Sequence, residues 1–162
     1  MRIHYILFLL FVIPLGCLPQ KNIDKTLEKM NSGSVSYVTP QELPNQKVVL
    51  LDTRELEEFK VSHLKDALWV GYKDFDITTV LENIPEKETP IVVYCSIGVR
   101  SEDIGEELQK AGYTNIKNLY GGIFEWKNQD KVVIDSLGQE TENIHAYSKY
   151  WGKLLTKGNK VY

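Results

Sequence analysis

The stretch PIVVYCSIGVRSEDIGEEL, residues 90–108, places one thiol between an apolar run and an amphipathic helix. PIVVYC contains no polar alternation, the pattern of a strand covered on both faces. From Ser101 onward, Ile104, Leu108 and Ala111 recur on one helical face, and the pattern stops at Gly112. A strand, a short polar loop and a helix in that order form one βα unit of a parallel sheet.

Working outward, the same alternation repeats. SVSYV (34–38) reads as a short strand. Thr39-Pro40-Gln41-Glu42 starts a helix, with a capping threonine, a proline at the first helical position and a glutamate three residues on. KVVLLD (47–52) is a second buried strand, ELEEFKV (55–61) makes two helical turns, and ALWV (67–70) makes another strand. DFDITTVLENI (74–84) has apolar residues at helical spacing closed by Pro85, and NIKNLYGG (115–122) is a strand followed by a turn. Residues 34–126 therefore predict an α/β fold: a single domain with a parallel sheet, right-handed crossovers and helices on both faces. KVVI (131–134) adds a strand. In HAYSKYWGKLL, Tyr147, Tyr150, Trp151, Leu154 and Leu155 recur at helical spacing, which predicts a C-terminal helical extension over 131–162 packed on the domain.

A chain of 162 residues with this balance of apolar and charged residues has the size of one globular domain. Acids outnumber bases 22 to 19 and no Lys/Arg block reaches five residues, which argues against a nucleic-acid surface. The first seventeen residues differ from the rest. A weakly basic MRIH precedes YILFLLFVIPL, an apolar run too short to span a bilayer but of the length of a signal-peptide core. The run ends at Gly16-Cys17, and a cysteine after a small residue there resembles a bacterial lipoprotein processing site. Residues 1–17 are thus expected to be a signal peptide. Lipidation of Cys17 would anchor an exported chain to a membrane of the cell envelope, periplasmic in a double-membraned cell. Ordinary signal cleavage is the alternative, because Pro14 stands where the lipoprotein pattern has an aliphatic residue. Residues 18–33, polar and ending in Asn-Ser-Gly-Ser, read as a tether. Either way Cys95 is left without an intramolecular disulfide partner, and an unpaired thiol in an oxidising compartment signals chemistry.

Ligands of open α/β sheets bind outside the carboxyl ends of the strands, and Cys95 stands at such an end. The residues after it, Ser96-Ile97-Gly98-Val99-Arg100-Ser101, can curl so that their N–H groups point inward, with the following helix adding the positive end of its dipole. This is an anion cradle with a sulfur at its floor, and such surroundings stabilise a thiolate. Glu102 and Asp103 oppose that effect and are expected to face solvent. Gly98 supplies the sharp bend.

Here the pattern becomes specific. Cys95-x-x-Gly98-x-Arg100-Ser101 at a strand-to-helix junction resembles the active-site loop of the rhodanese-like sulfurtransferase family. LLDTRELEEFKVSHLKDA (50–67) is similar to that family's Asp-x-Arg and His-hydrophobic segment, and NLYGGIFEW (118–126) to its Gly-Gly and Trp segment. The likeness covers about residues 34–130. It implies that Cys95 takes a sulfane sulfur from a donor such as thiosulfate or a persulfide and holds it as a persulfide. A thiophilic acceptor, cyanide or a low-molecular or protein thiol, then collects it, and no metal or organic cofactor is required. Residues 96–101 would bind the donor. The sequence departs from the family at Ser62, Lys65 and Asp66, where Gly, Pro and Gly are usual, and at Ser96 and Ile97, where thiosulfate-specialised members carry basic residues. Thiosulfate is therefore expected to be a poor donor, and a lysine in place of Ile97 to improve its use.

Other readings of the same residues remain. Cys95 could be a structural thiol, and Arg100 either binds the anion or pairs with a carboxylate. Asp52 and Arg54 read as an internal ion pair or brace rather than as catalysts, and His63 as a turn residue satisfying backbone groups, with a general base as its alternative. A non-catalytic binding module of the envelope would keep the same fold. Phosphatase or arsenate-reductase loops share these residue types, but they set five residues between Cys and Arg, and here four intervene.

Overall fold

The computed structural model describes residues 20–162. The expected signal peptide over 1–17 and the lipidation site at Cys17 lie outside the described residues. Five parallel strands form the central sheet: β1 (Tyr37–Val38), β2 (Val49–Asp52), β3 (Leu68–Trp69), β4 (Ile91–Tyr94) and β5 (Ile116–Leu119), in the order β1-β5-β4-β2-β3. The most apolar strand, β4, is central: Val49 pairs with Ile91 and Asp52 with Tyr94 on one side, and Ile91 pairs with Ile116 on the other. All four of its residues are buried, as an unbroken β-branched and aromatic run requires in a sheet covered twice.

Alternate residues of β4 enter two separate cores. Ile91 and Val93 join Leu51, Val80, Ile104, Leu108 and Ile116, under helices α3 (Ile77–Asn83) and α4 (Arg100–Lys110). Val92 and Tyr94 join Leu64, Leu119, Ile123 and Phe124, the last two from α5 (Gly122–Asn128). The short α2 (Leu56–Val61) follows β2. Helix α3 is started by Asp76, whose carboxylate accepts from the Thr78 N–H at 2.9 Å.

Three local expectations are corrected. The Thr39–Glu42 capping contact forms, with the Thr39 N–H donating to Glu42 Oε2 at 2.9 Å, but the chain continues into a three-residue 3₁₀ turn, Leu43–Asn45, rather than an α-helix. Pro44 inside that turn cannot donate the hydrogen bond a longer helix needs.

The second correction concerns the polar tether. Its greater part is an eleven-residue helix, α1 (Gln20–Met30), with Ile23 and Leu27 buried against the domain. Two apolar residues four apart suffice to seat one helical face.

The third lies in the C-terminal segment. HAYSKYWGKLL does not form an α-helix: β8 (Asn143–His145) runs parallel to β9 (Asn159–Val161), and only Trp151–Leu154 makes a 3₁₀ turn between them. Before them, β6 (Val133–Ile134) and β7 (Glu140–Thr141) form a hairpin. Val133, Ile144, Ala146 and Leu155 are buried in the same cluster as Phe124, with Trp151 and Leu154 packed against it, whereas Tyr147 and Tyr150 are exposed, so the expected packing holds for only part of the stripe.

Candidate active site

The chain leaves β4 at Tyr94 and enters α4 at Arg100, so the intervening loop sits at the carboxyl end of the central strand. Gly98 lies at φ +106°, a conformation that side chains with a Cβ rarely adopt, and it turns the loop back on itself. Its N–H donates to Cys95 Sγ at 3.1 Å. Its carbonyl accepts from two amides at 2.8 Å, Asn118 Nδ2 on β5 and Asn31 Nδ2 just after α1. Asn118 Oδ1 also accepts from the Ser101 hydroxyl at 2.8 Å. The loop is pinned by a neighbouring strand and by the N-terminal helix.

A second anchor comes from α5. Gly121 and Gly122, both at positive φ, bring the start of that helix onto the loop, where the Ile123 N–H donates to Cys95 O and the Phe124 N–H to Ser96 O, each at 3.0 Å. A Cβ on Gly122 would lie 2.3 Å from Cys95 O, so this approach demands glycine.

Among the described residues a single loop amide, that of Gly98, reaches Sγ, rather than the full ring expected of 96–101. Cys95 is 1% exposed, yet it is not sealed. A cavity of about 150 Å³ opens against it, lined by Met30, Ser96, Ile97, Val99, Arg100, Tyr147 and Trp151. Ile97 is 5% exposed, packing in the core cluster of Phe124 while also lining the cavity, so a lysine there would give up core packing to place its ammonium beside the thiol.

Arg100 pairs with a carboxylate. Its guanidinium grips Glu58 through Nη1 to Oε2 at 2.7 Å and Nη2 to Oε1 at 2.9 Å, and it also donates to Ser96 Oγ at 2.9 Å. Ser96 in turn donates to Glu58 Oε1 at 3.1 Å. Burial pushes the Glu58 carboxyl up, but the Arg100 hydrogen bonds and charge, with the Arg54 charge behind them, outweigh it and hold Glu58 below its ordinary range. The loop's one cation is therefore matched by one anion.

A profile for the rhodanese-like domain matches residues 39–129, more than half of the chain. The chain belongs to the rhodanese-like domain family. The thiosulfate sulfurtransferase GlpE of Haemophilus influenzae is 31% identical over 96 residues, which cover 57% of this chain and 89% of that protein. The probable adenylyltransferase/sulfurtransferase MoeZ of Mycobacterium tuberculosis is 31% identical over 99 residues, 58% of this chain. The match spans only 25% of MoeZ. Among solved structures, a thiosulfate sulfurtransferase from Pseudomonas aeruginosa superposes with a TM-score of 0.59 at 21% identity, covering 85% of this chain and 26% of that one. The rhodanese-like domain of an Anabaena protein superposes with a TM-score of 0.54 at 19% identity, covering 61% and 78%. At such identities these two speak for the fold.

In this rhodanese-like domain Asp52 and Arg54 form a fully buried brace. Arg54 Nη2 lies 2.6 Å from Asp52 Oδ2 and donates to Ser62 O at 2.7 Å, tying the end of β2 to the turn after α2. His63 stacks on Phe59 at 3.9 Å, places Nδ1 3.1 Å from Phe59 O, and bridges Ile134 through its backbone; it does not line the Cys95 cavity. Asp103 is exposed, but Glu102 is not: it is buried and accepts the N–H groups of Ser32, Gly33 and Ser34 at 3.0, 2.7 and 3.1 Å. The expectation that Glu102 faces solvent is thus corrected, since the amides that follow α1 need an acceptor.

Sequence reasoning missed Glu58, Asn118, Asn31 and Met30, and it read Tyr147 and Trp151 only as packing. Glu58 carried a signal, because Glu55 and Glu58 form a capping box on α2, with the Glu55 N–H donating to Glu58 Oε2 at 3.0 Å. The others meet the loop only through tertiary contact.

Proposed function

We propose that this chain is a sulfurtransferase that carries a sulfane sulfur on Cys95. The observation that carries the reading is a thiol at the carboxyl end of the central parallel strand, receiving an N–H from its own loop at 3.1 Å and facing a cavity of about 150 Å³. Relatives named as sulfurtransferases share the family and support it. In the reaction, the Cys95 thiolate attacks the outer sulfur of a donor. With thiosulfate the S–S bond breaks, sulfite leaves with the electron pair, and a Cys95 persulfide forms. A thiol or cyanide then attacks the terminal sulfur and restores the thiolate, so no external oxidant or reductant is involved. The Gly98 N–H lies where negative charge resides in the thiolate and passes during transfer, the placement that favours such a step. A phosphoryl-transfer loop would aim its arginine at the anion; here Arg100 is committed to Glu58 and Ser96.

Export, with the chain held at a membrane through Cys17, belongs to the same proposal and rests on the apolar run before Gly16-Cys17. Intact mass spectrometry of the exported protein after incubation with a sulfane-sulfur donor tests both parts. The expected result is a lipid-bearing Cys17 and a one-sulfur adduct that disappears in Cys95→Ser, with the far-UV spectrum of that variant unchanged. An adduct retained by Cys95→Ser refutes the role of Cys95.

A further inference from the structure

The walls of the Cys95 cavity point to the kind of donor it takes, an inference that rests on the sulfur-carrier reading above. Three of the side chains over the thiol come from outside the sheet and its flanking helices α2–α5: Met30 from the end of α1, and Tyr147 and Trp151 from the C-terminal extension. With Ile97 and Val99 they make the mouth apolar. The polar side chains of the loop are all engaged: Ser96 and Arg100 with Glu58, and Ser101 with Asn118. A dianion entering here meets no unmatched cation.

The roof is held firmly. Tyr147 sits at φ +61°, a left-handed conformation uncommon for a bulky residue. It is kept there by the pairing of β8 with β9, with the Ala146 N–H donating to Val161 O at 2.8 Å and the Tyr147 N–H to His145 Nδ1 at 3.2 Å. Its ring faces the Arg100 guanidinium at 5.1 Å, so a cation–π contact fixes the ring beside the loop. Apolar cavities of about 150 Å³ accommodate a benzene ring.

We infer that the site takes sulfane-sulfur donors carrying at most one charge and a compact apolar body, such as an aryl or alkyl hydropersulfide, in preference to the thiosulfate dianion. The step is an exchange: the Cys95 thiolate attacks the outer sulfur of R–S–S–H, the donor's S–S bond breaks, and R–S⁻ leaves with the electron pair as Cys95–S–S–H forms. Sulfur and charge are conserved, and no oxidant is needed. The apolar body R lies against Met30, Tyr147 and Trp151.

The test measures kcat/KM for sulfur delivered to cyanide by the full chain from three stable donors: thiosulfate, methanethiosulfonate and benzenethiosulfonate. The last two share charge and reacting group and differ in apolar body. Benzenethiosulfonate is expected to exceed methanethiosulfonate by at least about tenfold, on the area its ring removes from water. Thiosulfate is expected to be the poorest of the three. Met30→Gln, at a half-exposed position, and Tyr147→Asn, which suits a left-handed backbone, should each cut the benzene-to-methane ratio by at least roughly threefold. A ratio near one in the wild type, or a ratio unmoved in both variants, overturns the inference while Cys95 still takes up sulfur. If none of the three donors places sulfur on Cys95, the carrier reading itself falls, and this one with it.

Discussion

Replacing Glu58 by glutamine isolates the charge balance under the Cys95 loop. Glutamine keeps an acceptor oxygen for the α2 capping box, so helix initiation is preserved. What is lost is the partner of Arg100. Wild-type Glu58 accepts two charge-assisted bonds at 2.7 and 2.9 Å, and bonds to charged groups contribute about 1.5–3 kcal/mol each. Breaking a buried pair by removing one member costs about 3–5 kcal/mol. Here Arg100 keeps 18% of its side chain in solvent and the amide oxygen retains one bond, so the expected cost is about 2–3 kcal/mol. For a chain of this size that corresponds to a melting temperature lower by roughly 4–12 °C.

The pH dependence gives a second, independent readout. The Glu58 carboxyl is held below its ordinary value of 4.5, so the folded state favours its ionised form. A depressed folded pKa stabilises the protein fully above the unfolded value and loses that contribution as pH falls through the folded one. The stability gap between wild type and Glu58→Gln should therefore be constant above pH ~5.5 and shrink as pH drops below about 4.5. Urea melts across pH 3.5–7 measure it. The variant also leaves an unmatched cation beside Cys95, and should raise the use of thiosulfate relative to methanethiosulfonate. A stability change under about 0.5 kcal/mol, or a gap independent of pH, would refute the reasoning.

Two further outcomes follow from backbone contacts. Gly122→Ala forces a Cβ to 2.3 Å from Cys95 O, whereas Gly138→Ala, also at positive φ, meets nothing within 4 Å. The first should cost at least about 2 kcal/mol more than the second in chemical melts and depress sulfur transfer, and equal costs would mean the loop yields freely. Glu102→Ala removes the acceptor of three N–H groups after α1, so amide exchange at Ser32, Gly33 and Ser34 should accelerate by at least roughly tenfold, with unchanged rates contradicting the anchoring role.

What the sequence displayed and what it hid divide along physical lines. The βα unit of residues 90–108 was legible because a β-branched run buried on both faces and an amphipathic helix each write their own period into the chain. The same holds for Asp52 and Arg54, whose two-residue separation makes the brace a local contact. Glu102 shows where local reading stops. Its place in the first turn of α4 is explained by the helix dipole alone, and nothing nearby reveals that it accepts three amides from residues 32–34. The aromatic run at 147–155 has helical spacing by coincidence. The positive φ of Tyr147 and the pairing of β8 with β9 break the helix that spacing alone predicts.

The hidden parts are also the ones that give this site its own character. A polar segment that reads as a tether seats Ile23 and Leu27 on the domain, so Asn31 reaches Gly98 O and Met30 reaches the cavity. The C-terminal segment brings Tyr147 over Arg100 from the other side. The matched family region, residues 39–129, contains Cys95, the Gly98 amide that donates to it and the Arg100–Glu58 pair, while Met30, Tyr147 and Trp151 all lie beyond its ends. The thiol and the N–H it receives thus belong to the matched region, and the cavity in front of it is walled by that region's loop together with the segments on either side. Exchanging those flanking residues should therefore change donor preference far more than it changes the capacity of Cys95 to hold sulfur.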